Sequence, residues 1–224
     1  MTVRVLLQLA TSGSLLSLVL PENGLWAGLA FGYHIASRLA YVAGIGIALT
    51  QQQRHQVFTR RDGVEGGFRR FRRFAAILMS NDALSFVLLS AATRDTIGPG
   101  APVLALAMAG LLLIVVGVSI RLWAAKQLGD AAYYWYNFFT AVDSVEPERR
   151  GPYRFFKDPM YTLGYFHTYG IALFCASWPG LIAAVFDQAA ILIFHRVVER
   201  PHFELLTKAA PRSLGRLPSE DVRE

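Results

Sequence analysis

Two stretches of the sequence carry the side chains best suited to chemistry. Residues 198–204 combine two carboxylates, a guanidinium and an imidazole directly after an apolar segment. Residues 127–161 are too aromatic for a solvated linker; the aromatic side chains are Tyr133, Tyr134, Trp135, Tyr136, Phe138, Phe139, Tyr153, Phe155, Phe156 and Tyr161. Such rings either form a belt at a membrane surface or line a pocket there, and composition leaves both alternatives open.

The common motifs of soluble enzymes are absent from the sequence. It contains no Gly-x-Ser-x-Gly, no phosphate loop ending in Gly-Lys-Ser and no His-Glu-x-x-His. A single cysteine, Cys175, excludes a disulfide framework and any multi-cysteine zinc or iron–sulfur site. We therefore expect chemistry that needs no metal.

The composition indicates a membrane protein. Hydrophobic residues make up 54% of the 224 residues and charged residues 17%, whereas soluble domains have about a quarter charged residues. The low charge also excludes a disordered chain. The net charge of +6 would indicate a nucleic-acid partner only if the basic residues formed a stripe on a soluble face. They lie between apolar segments instead, so we expect an integral membrane protein that binds no nucleic acid.

Apolar segments of about 20 residues predict helices that cross the membrane. Residues 25–49, 74–92 and 101–123 each fit one helix, and residues 161–198 fit two. Because Pro-Gly indicates a turn, Trp178-Pro179-Gly180 predicts a tight hairpin in the last segment. Residues 5–20 form either a first spanning helix, which we favour, or a cleaved signal peptide. The predicted fold is an all-α, multi-pass transmembrane bundle of five or six helices with a C-terminal hairpin and cytoplasmic interfacial segments.

Basic residues predict the orientation, because cytoplasmic loops are enriched in lysine and arginine. The long loops after residues 49 and 123 and the chain after residue 195 hold nearly all of them. The turns near residues 23, 93–100 and 179 hold one, Arg94. We therefore expect the long loops, and a site at their level, on the cytoplasmic face. The segment 68–74, in which rings alternate with paired arginines, suits anionic lipid headgroups or plain anchoring.

Some ionisable residues lie deep within the predicted spans. Arg38 and Asp82 would each cost about 3 kcal/mol if isolated at that depth, so we expect them to pair. Asp187 is an alternative partner for Arg38, and His34 lies one turn away on the same face. A buried ion pair that fixes helix order is favoured over a transport pathway.

Two motifs carry a resemblance to a known superfamily. Residues 151–161, Gly-Pro-Tyr-Arg-Phe-Phe-Lys-Asp-Pro-Met-Tyr, resemble the Gly-Pro-Tyr-Arg…Pro-Met-Tyr motif of membrane methyltransferases, and residues 198–204 resemble their acidic Glu-Glu motif. That superfamily includes the phospholipid and the isoprenylcysteine carboxyl methyltransferases. Asp158 before Pro-Met-Tyr and residues 176–181 are similar to the phosphatidylethanolamine N-methyltransferase branch. The resemblance covers residues 101–208.

The resemblance implies S-adenosylmethionine, bound between a glycine-containing helix, the Pro-Met-Tyr turn and the acidic motif. Glu199 would pair with the cofactor's ammonium, and Arg200 would reach its carboxylate or a lipid phosphate. The implied cofactor-binding residues are Gly117, Tyr153, Pro159, Tyr161, Glu199 and Arg200. Four of them have a plainer alternative: helix packing for Gly117, belt anchoring for Tyr153 and Tyr161, and a solvated charged cluster for Glu199.

Methyl transfer needs an acceptor whose nucleophilic atom is unprotonated. For an amine, the site must therefore accept a proton or disfavour the charged ammonium by desolvation. Asp158 and His202 are the predicted catalytic residues, for proton acceptance or amine orientation. Arg154 and Lys157 are the predicted substrate-binding residues, at a lipid phosphate. In the plainer alternatives, Asp158 is a turn residue before proline, His202 is a surface histidine, and Arg154 and Lys157 are charges that orient the protein in the membrane.

The resemblance implies a methyltransferase whose acceptor is a membrane lipid, in the first place the amine of phosphatidylethanolamine or its methylated forms. An isoprenylated cysteine or a small thiol is the alternative acceptor, and a non-enzymatic transporter or scaffold is the alternative class. The predicted organisation is N-terminal helices with a basic loop in residues 1–100, a catalytic region in residues 101–208, and a flexible tail in residues 209–224.

Overall fold

The structure, a computed structural model, describes residues 24–98, 100–140 and 150–209. These residues form helices and no strands, as predicted. The helices are α1 (Gly24–His55), α2 (Thr59–Ala92), α3 (Val103–Tyr133), α4 (Phe166–Phe174), α5 (Trp178–Phe194) and α6 (Arg200–Ala209). Turns of 3₁₀ helix cover Tyr136–Phe138, Gly151–Arg154 and Leu163–Tyr165, and the π-helical turn His195–Glu199 joins α5 to α6. The predicted segment 5–20 and the tail from residue 210 lie outside the described residues.

Three helical stretches of the described chain are long and apolar enough to cross a membrane: Thr59–Ala92, Val103–Phe138 and Trp178–Leu206. A bilayer's hydrocarbon core is about 30 Å thick. The part of α3 that precedes its kink at Gly129 (φ 74°) extends about 39 Å at 1.5 Å per residue. The 32 residues of α1 are also long enough but carry His34 and Arg38. The prediction of an integral membrane protein built as a helical bundle is confirmed.

Small residues let α3 contact α4 closely. Gly110, Gly117 and Ala124, spaced seven residues apart, are the buried residues of α3. A Cβ at Gly117 would lie 2.3 Å from the backbone nitrogen of His167, and one at Gly110 would lie 2.6 Å from that of Phe174. Helices in membranes associate through such small-residue contacts, because lipid removes most of the hydrophobic driving force. The large apolar side chains of α3 face outward, where lipid would cover them.

The C-terminal hairpin turns three residues earlier than predicted. The connection between α4 and α5 is Cys175–Ser177, and Trp178 already begins α5. Ser177 caps α5 by accepting a hydrogen bond from the amide of Gly180 over 2.9 Å. Pro179 lies in the first helical turn, where its missing amide hydrogen costs nothing. The nine residues of α4 extend only about 14 Å. The first arm of the hairpin therefore consists of this short helix and the irregular segment before it.

The intramembrane charges form one buried cluster, which confirms the predicted pairing. Arg38 donates two hydrogen bonds of 2.7 Å to Asp187 and lies 2.8 Å from Asp82. His34 contacts Asp187 at 3.2 Å and Ser85 at 2.9 Å. Both carboxylates thus share the guanidinium, and the cluster ties α1 to α2 and α5.

The two ends of the bundle differ in chemistry. At one end Phe58, Phe68, Phe71, Trp135 and Phe139 form a core of edge-to-face ring contacts, while the arginines of segment 68–74 are exposed. At the other end residues 93–97 bond to the turn 175–178. We call the first the aromatic end. The predicted basic loop between residues 49 and 74 is wrong: only residues 56–58 connect α1 to α2, and the arginines lie in the last turn of α1 and the first half of α2, at this end of the bundle.

Candidate functional site

Glu199 is a buried carboxylate between α5 and α6, only 4% exposed. It ends the π-helical turn, in which the amide of Arg200 bonds to the carbonyl of His195. Pro201 accounts for this wide turn, because proline has no amide hydrogen and its ring displaces the carbonyl of Val197. Wide turns of this kind recur at functional sites.

Three side chains donate hydrogen bonds to Glu199. The Tyr161 hydroxyl donates to Oε1 over 2.7 Å, the Trp135 indole N–H donates to the same oxygen, and His195 Nδ1 donates to Oε2. Burial, and then the charge of Glu199, raise the pKa of Tyr161 well above that of an ordinary phenol, so its hydroxyl stays protonated and donates. Trp135 has a φ of 58°, a left-handed conformation that is unusual for a bulky residue and typical of functional sites.

His195 links Glu199 to a second carboxylate, Asp158. Its Nε2 lies 3.4 Å from Asp158 Oδ1, and the Asp158 side chain is 28% exposed. The three groups therefore run from the buried Glu199 to a carboxylate that touches solvent. Such a row can hold a proton at His195 Nε2 or at Asp158.

A small cavity adjoins this row. Its volume is about 20 Å³, room for about one water molecule. The lining residues are Tyr41, Met79, Arg121, Tyr133, Trp135, Met160, Tyr161 and Tyr165. Since Trp135 and Tyr161 both donate to Glu199, this carboxylate lies directly behind the cavity wall.

The Pro159 turn, residues 158–165, packs against α3. The amide of Gly164 donates to the carbonyl of Pro159 over 2.8 Å. A Cβ at Gly164 would lie 3.2 Å from that carbonyl and 3.6 Å from Cβ of Arg121, so the turn lies close against α3. Irregular backbone at membrane depth is tolerated where it lines a cavity, and Met160 and Tyr161 of this turn do so.

The structure brings together four of the predicted site residues: Tyr161 and Glu199 in direct contact, Asp158 through His195, and Pro159 in the same turn. Gly117 lies elsewhere, beneath the backbone of α4, where the space of its missing side chain is already filled. This contact supports the packing alternative for Gly117, and its role in cofactor binding stays a prediction.

Arg200 and His202 form contacts of their own. Arg200 is exposed and donates to Glu204, one turn further along α6, over 3.1 Å. His202 is buried, stacks on Phe138 with ring centroids 3.6 Å apart, and donates from Nε2 to the carbonyl of Asn137. Their roles at a cofactor carboxylate and in proton acceptance stay predictions.

Tyr153, Arg154 and Lys157 lie in or after the 3₁₀ turn Gly151–Arg154. This turn sits against α3, since a Cβ at Gly151 would lie 2.9 Å from the indole nitrogen of Trp123. Arg154 and Lys157 are exposed, and Tyr153 is half-buried. Their roles in cofactor and lipid-phosphate binding also stay predictions.

Sequence analysis missed three residues of the site: Trp135, His195 and Arg121. The spacing of His195 and Glu199, four residues apart, would have indicated contact on a helix. Trp135 was named only among the aromatic residues, and Arg121 lies inside the predicted helix 101–123, where no role was assigned to it. Their convergence depends on tertiary contacts that no short motif reports.

Comparisons with known proteins identify a related family. Residues 106–206 match the family model for phospholipid methyltransferases. A phosphatidylethanolamine N-methyltransferase of Pyricularia oryzae is 34% identical over 155 residues, 67% of this chain and 16% of the relative. A protein of the same name from Coccidioides posadasii is 33% identical over 143 residues, 63% of this chain and 15% of the relative. Another, from Neosartorya fischeri, is 30% identical over 154 residues, 68% of this chain and 16% of the relative.

The matched region thus spans about a sixth of the length of these relatives. No solved structure matches the chain. The matching region contains the Pro159 turn, His195 and Glu199. The resemblance found in the sequence is confirmed: over residues 106–206 this chain matches the phospholipid methyltransferase family.

Proposed function

We propose that this chain transfers a methyl group from S-adenosylmethionine to the amine of phosphatidylethanolamine or its partly methylated forms. The observation that carries the proposal is Glu199, a buried carboxylate held by Tyr161 and Trp135 beside the Pro159 turn. The family match over residues 106–206 and the names of the relatives support the lipid amine as acceptor.

The side chains of the site fit the methionine end of S-adenosylmethionine. When bound, this cofactor supplies an electrophilic methyl carbon on a positively charged sulfur. Glu199 offers an anion for the cofactor's ammonium, and the rings of Trp135 and Tyr161 suit a sulfonium through cation–π attraction. The cavity of about 20 Å³ admits a ligand of this size only after its side chains move apart. Met160 in the wall is flexible enough to do so.

Methyl transfer also requires that the acceptor amine lose its proton, because an ammonium has no lone pair for attack. Asp158 accepts this proton in our proposal, and His195, held between Asp158 and Glu199, orients the carboxylate and shares the charge. The reaction itself calls for positioning of amine and methyl carbon and for no metal. Within the described chain, no three His, Cys, Asp or Glu residues are grouped to hold a metal ion.

An apolar groove supports a lipid as the acceptor. It lies between α1 and α5, has a volume of about 340 Å³ and is lined by Val42, Ala43, Gly46, Ile47, Thr50, Gln51, Ile193, Phe194, Val197 and Val198. Val198 precedes Glu199, and Phe194 contacts Trp135 with ring centroids 5.7 Å apart. An acyl chain in this groove would place its headgroup next to the carboxylate. We place this end of the bundle at the cytoplasmic face, where the basic loops lie.

The test is product identification. The purified full chain is incubated with methyl-labelled S-adenosylmethionine and mixed lipids that include phosphatidylethanolamine, and the lipids are then separated by chromatography. We expect label in methylated phosphatidylethanolamine. Label in a protein carboxyl or a small thiol, or no transfer together with no saturable cofactor binding, would refute the proposal.

Glu199→Gln provides the matched variant, because it keeps the size of the side chain and removes its charge. A hydrogen-bonded charge contributes about 1.5–3 kcal/mol, so cofactor affinity should fall about tenfold or more. Asp95→Asn is the control, since Asp95 is an exposed carboxylate that pairs with Arg94 at the opposite end of the bundle. It should bind and react as the unchanged protein does.

A further inference from the structure

Arg121 is a cation in the wall of the cavity. Its guanidinium lies beside the phenol of Tyr133, which lines the same cavity. No carboxylate of residues 24–98, 100–140 or 150–206 lies within 4 Å of its guanidinium. A guanidinium has five N–H donors, and one phenol oxygen can accept only part of them. Arg121 therefore has donors left for an anion.

Arg38 shows what a satisfied guanidinium in the same protein looks like. It contacts the carboxylates of Asp82 and Asp187 and also the hydroxyl of Tyr165, at 3.2 Å. Tyr165 lines the cavity as well. The structure thus matches one arginine near the cavity with two carboxylates and leaves the other, Arg121, with tyrosines around it.

Glu199 is the complementary case. Among the described residues, His195 is its ionisable partner, and no lysine or arginine lies within 4 Å of it. The rings of Trp135 and Tyr161 stand between this carboxylate and the cavity that Arg121 lines. The cavity therefore has a guanidinium in its wall and a carboxylate directly behind its wall, and the two do not pair with each other.

We infer that the cavity binds a zwitterion, with its ammonium end towards Glu199 and its anionic oxygens on the guanidinium of Arg121. This inference rests on the proposed function and deepens it, because it assigns the anion to Arg121. Two ligands of the proposed reaction have this chemistry: the amino acid end of S-adenosylmethionine, with a carboxylate, and the phosphoethanolamine headgroup, with a phosphate. Planar, paired N–H donors suit both anions.

The experiment measures equilibrium binding to the purified full chain in detergent, for Arg121→Gln, Arg121→Lys and the unchanged protein. One arm compares S-adenosylmethionine with its decarboxylated analogue, which keeps the ammonium and the sulfonium. The other arm uses glycerophosphoethanolamine as the headgroup probe. Arg94→Gln is the control, since Arg94 pairs with Asp95 at the opposite end of the bundle.

If the carboxylate is the anion, the unchanged protein prefers S-adenosylmethionine over the decarboxylated analogue by about tenfold or more, and Arg121→Gln abolishes that preference. If the phosphate is the anion, Arg121→Gln weakens the binding of glycerophosphoethanolamine by a similar factor. The affinities for S-adenosylmethionine and its decarboxylated analogue then stay unchanged. Arg121→Lys should retain part of either effect, because it keeps the charge and loses the paired geometry.

Equal binding of all probes by Arg121→Gln and the unchanged protein would overturn the inference while leaving the proposed function intact. Should the variants fail to fold, the unchanged protein still decides the question. An absence of both a carboxylate preference and headgroup binding overturns the inference. Failure of the unchanged protein to bind S-adenosylmethionine or to methylate lipid refutes the proposed function itself.

Discussion

At the scale of single residues, the site is organised around the charge of Glu199. Its donors are a phenol, an indole and an imidazole, and none of them is a lysine or arginine. A buried carboxylate held this way keeps its attraction for a ligand cation, because the low local dielectric strengthens the interaction. The same donors fix its direction, which is the geometric requirement for orienting a cofactor.

Tyr161→Phe tests this role of the donors. The variant keeps the ring at the cavity wall and removes the hydroxyl that donates to Glu199. Because a hydrogen bond to a charged group contributes about 1.5–3 kcal/mol, the dissociation constant for S-adenosylmethionine should rise about tenfold, as measured by equilibrium binding. Tyr33→Phe, which removes a hydroxyl bonded to Asn81 instead, should leave it unchanged. Unaltered affinity in Tyr161→Phe would show that Glu199 needs no such support.

At the scale of elements, apolar runs predicted the helices well, while special backbone was harder to foresee. The apolar segments 25–49, 74–92 and 101–123 mark the membrane-spanning parts of α1, α2 and α3, but α2 begins at Thr59 and α3 continues to Tyr133, through polar residues that were predicted as loops. The turn before α5 was misplaced because Pro-Gly suits the first turn of a helix as well as a loop. The π-helical turn at Glu199 depends on how α6 continues after Pro201, and periodicity cannot show that.

The residues of the site also differ in how well the sequence predicted them. The Pro159 turn and Glu199 were found through a resemblance of local motifs, and the structure places them in contact through Tyr161. Arg121 and His195 could not be found so, because their importance comes from neighbours that are distant in sequence. Gly117 shows the opposite error: a motif position predicted for the cofactor lies in a helix contact that any close pairing of α3 with α4 would need.

Gly117→Ala distinguishes packing from cofactor approach. Alanine normally favours a helix over glycine by about 1 kcal/mol, but here its Cβ would overlap the backbone of His167. We expect a loss of stability of about 1–3 kcal/mol, measured as unfolding in detergent. Gly32→Ala in α1, where a Cβ meets open space, should be neutral or stabilising. Normal stability of Gly117→Ala combined with lost cofactor binding would restore the cofactor role predicted from the sequence.

At the scale of the whole molecule, the buried cluster around Arg38 connects the membrane interior to the site. Arg38 is shared by Asp82 and Asp187, and it reaches Tyr165 in the cavity wall. The cluster therefore fixes the positions of α1, α2 and α5 relative to the Pro159 turn. One oxygen of Asp82 is buried without a hydrogen-bond partner, which indicates that the cluster tolerates no further loss of donors.

Arg38→Met tests whether this cluster is structural. The substitution leaves two buried carboxylates without their cation, and breaking a buried pair in this way costs about 3–5 kcal/mol. We expect a loss of that size in unfolding by mixed detergents. Arg72→Met removes an exposed ion pair with Asp130 and should cost at most about 1 kcal/mol.

The triple variant Arg38→Met, Asp82→Asn and Asp187→Asn completes the argument, because it removes the cation and both anions together. If the cluster serves structure, neutralising it as a set should recover most of the lost stability and retain most of the methyl transfer from labelled S-adenosylmethionine. The opposite pattern, in which Arg38→Met folds normally and the triple variant is stable but transfers no methyl group, would mean that the charges themselves take part in function. Stability and product formation measured on the same preparations separate the two outcomes, since a purely structural cluster must move both quantities together.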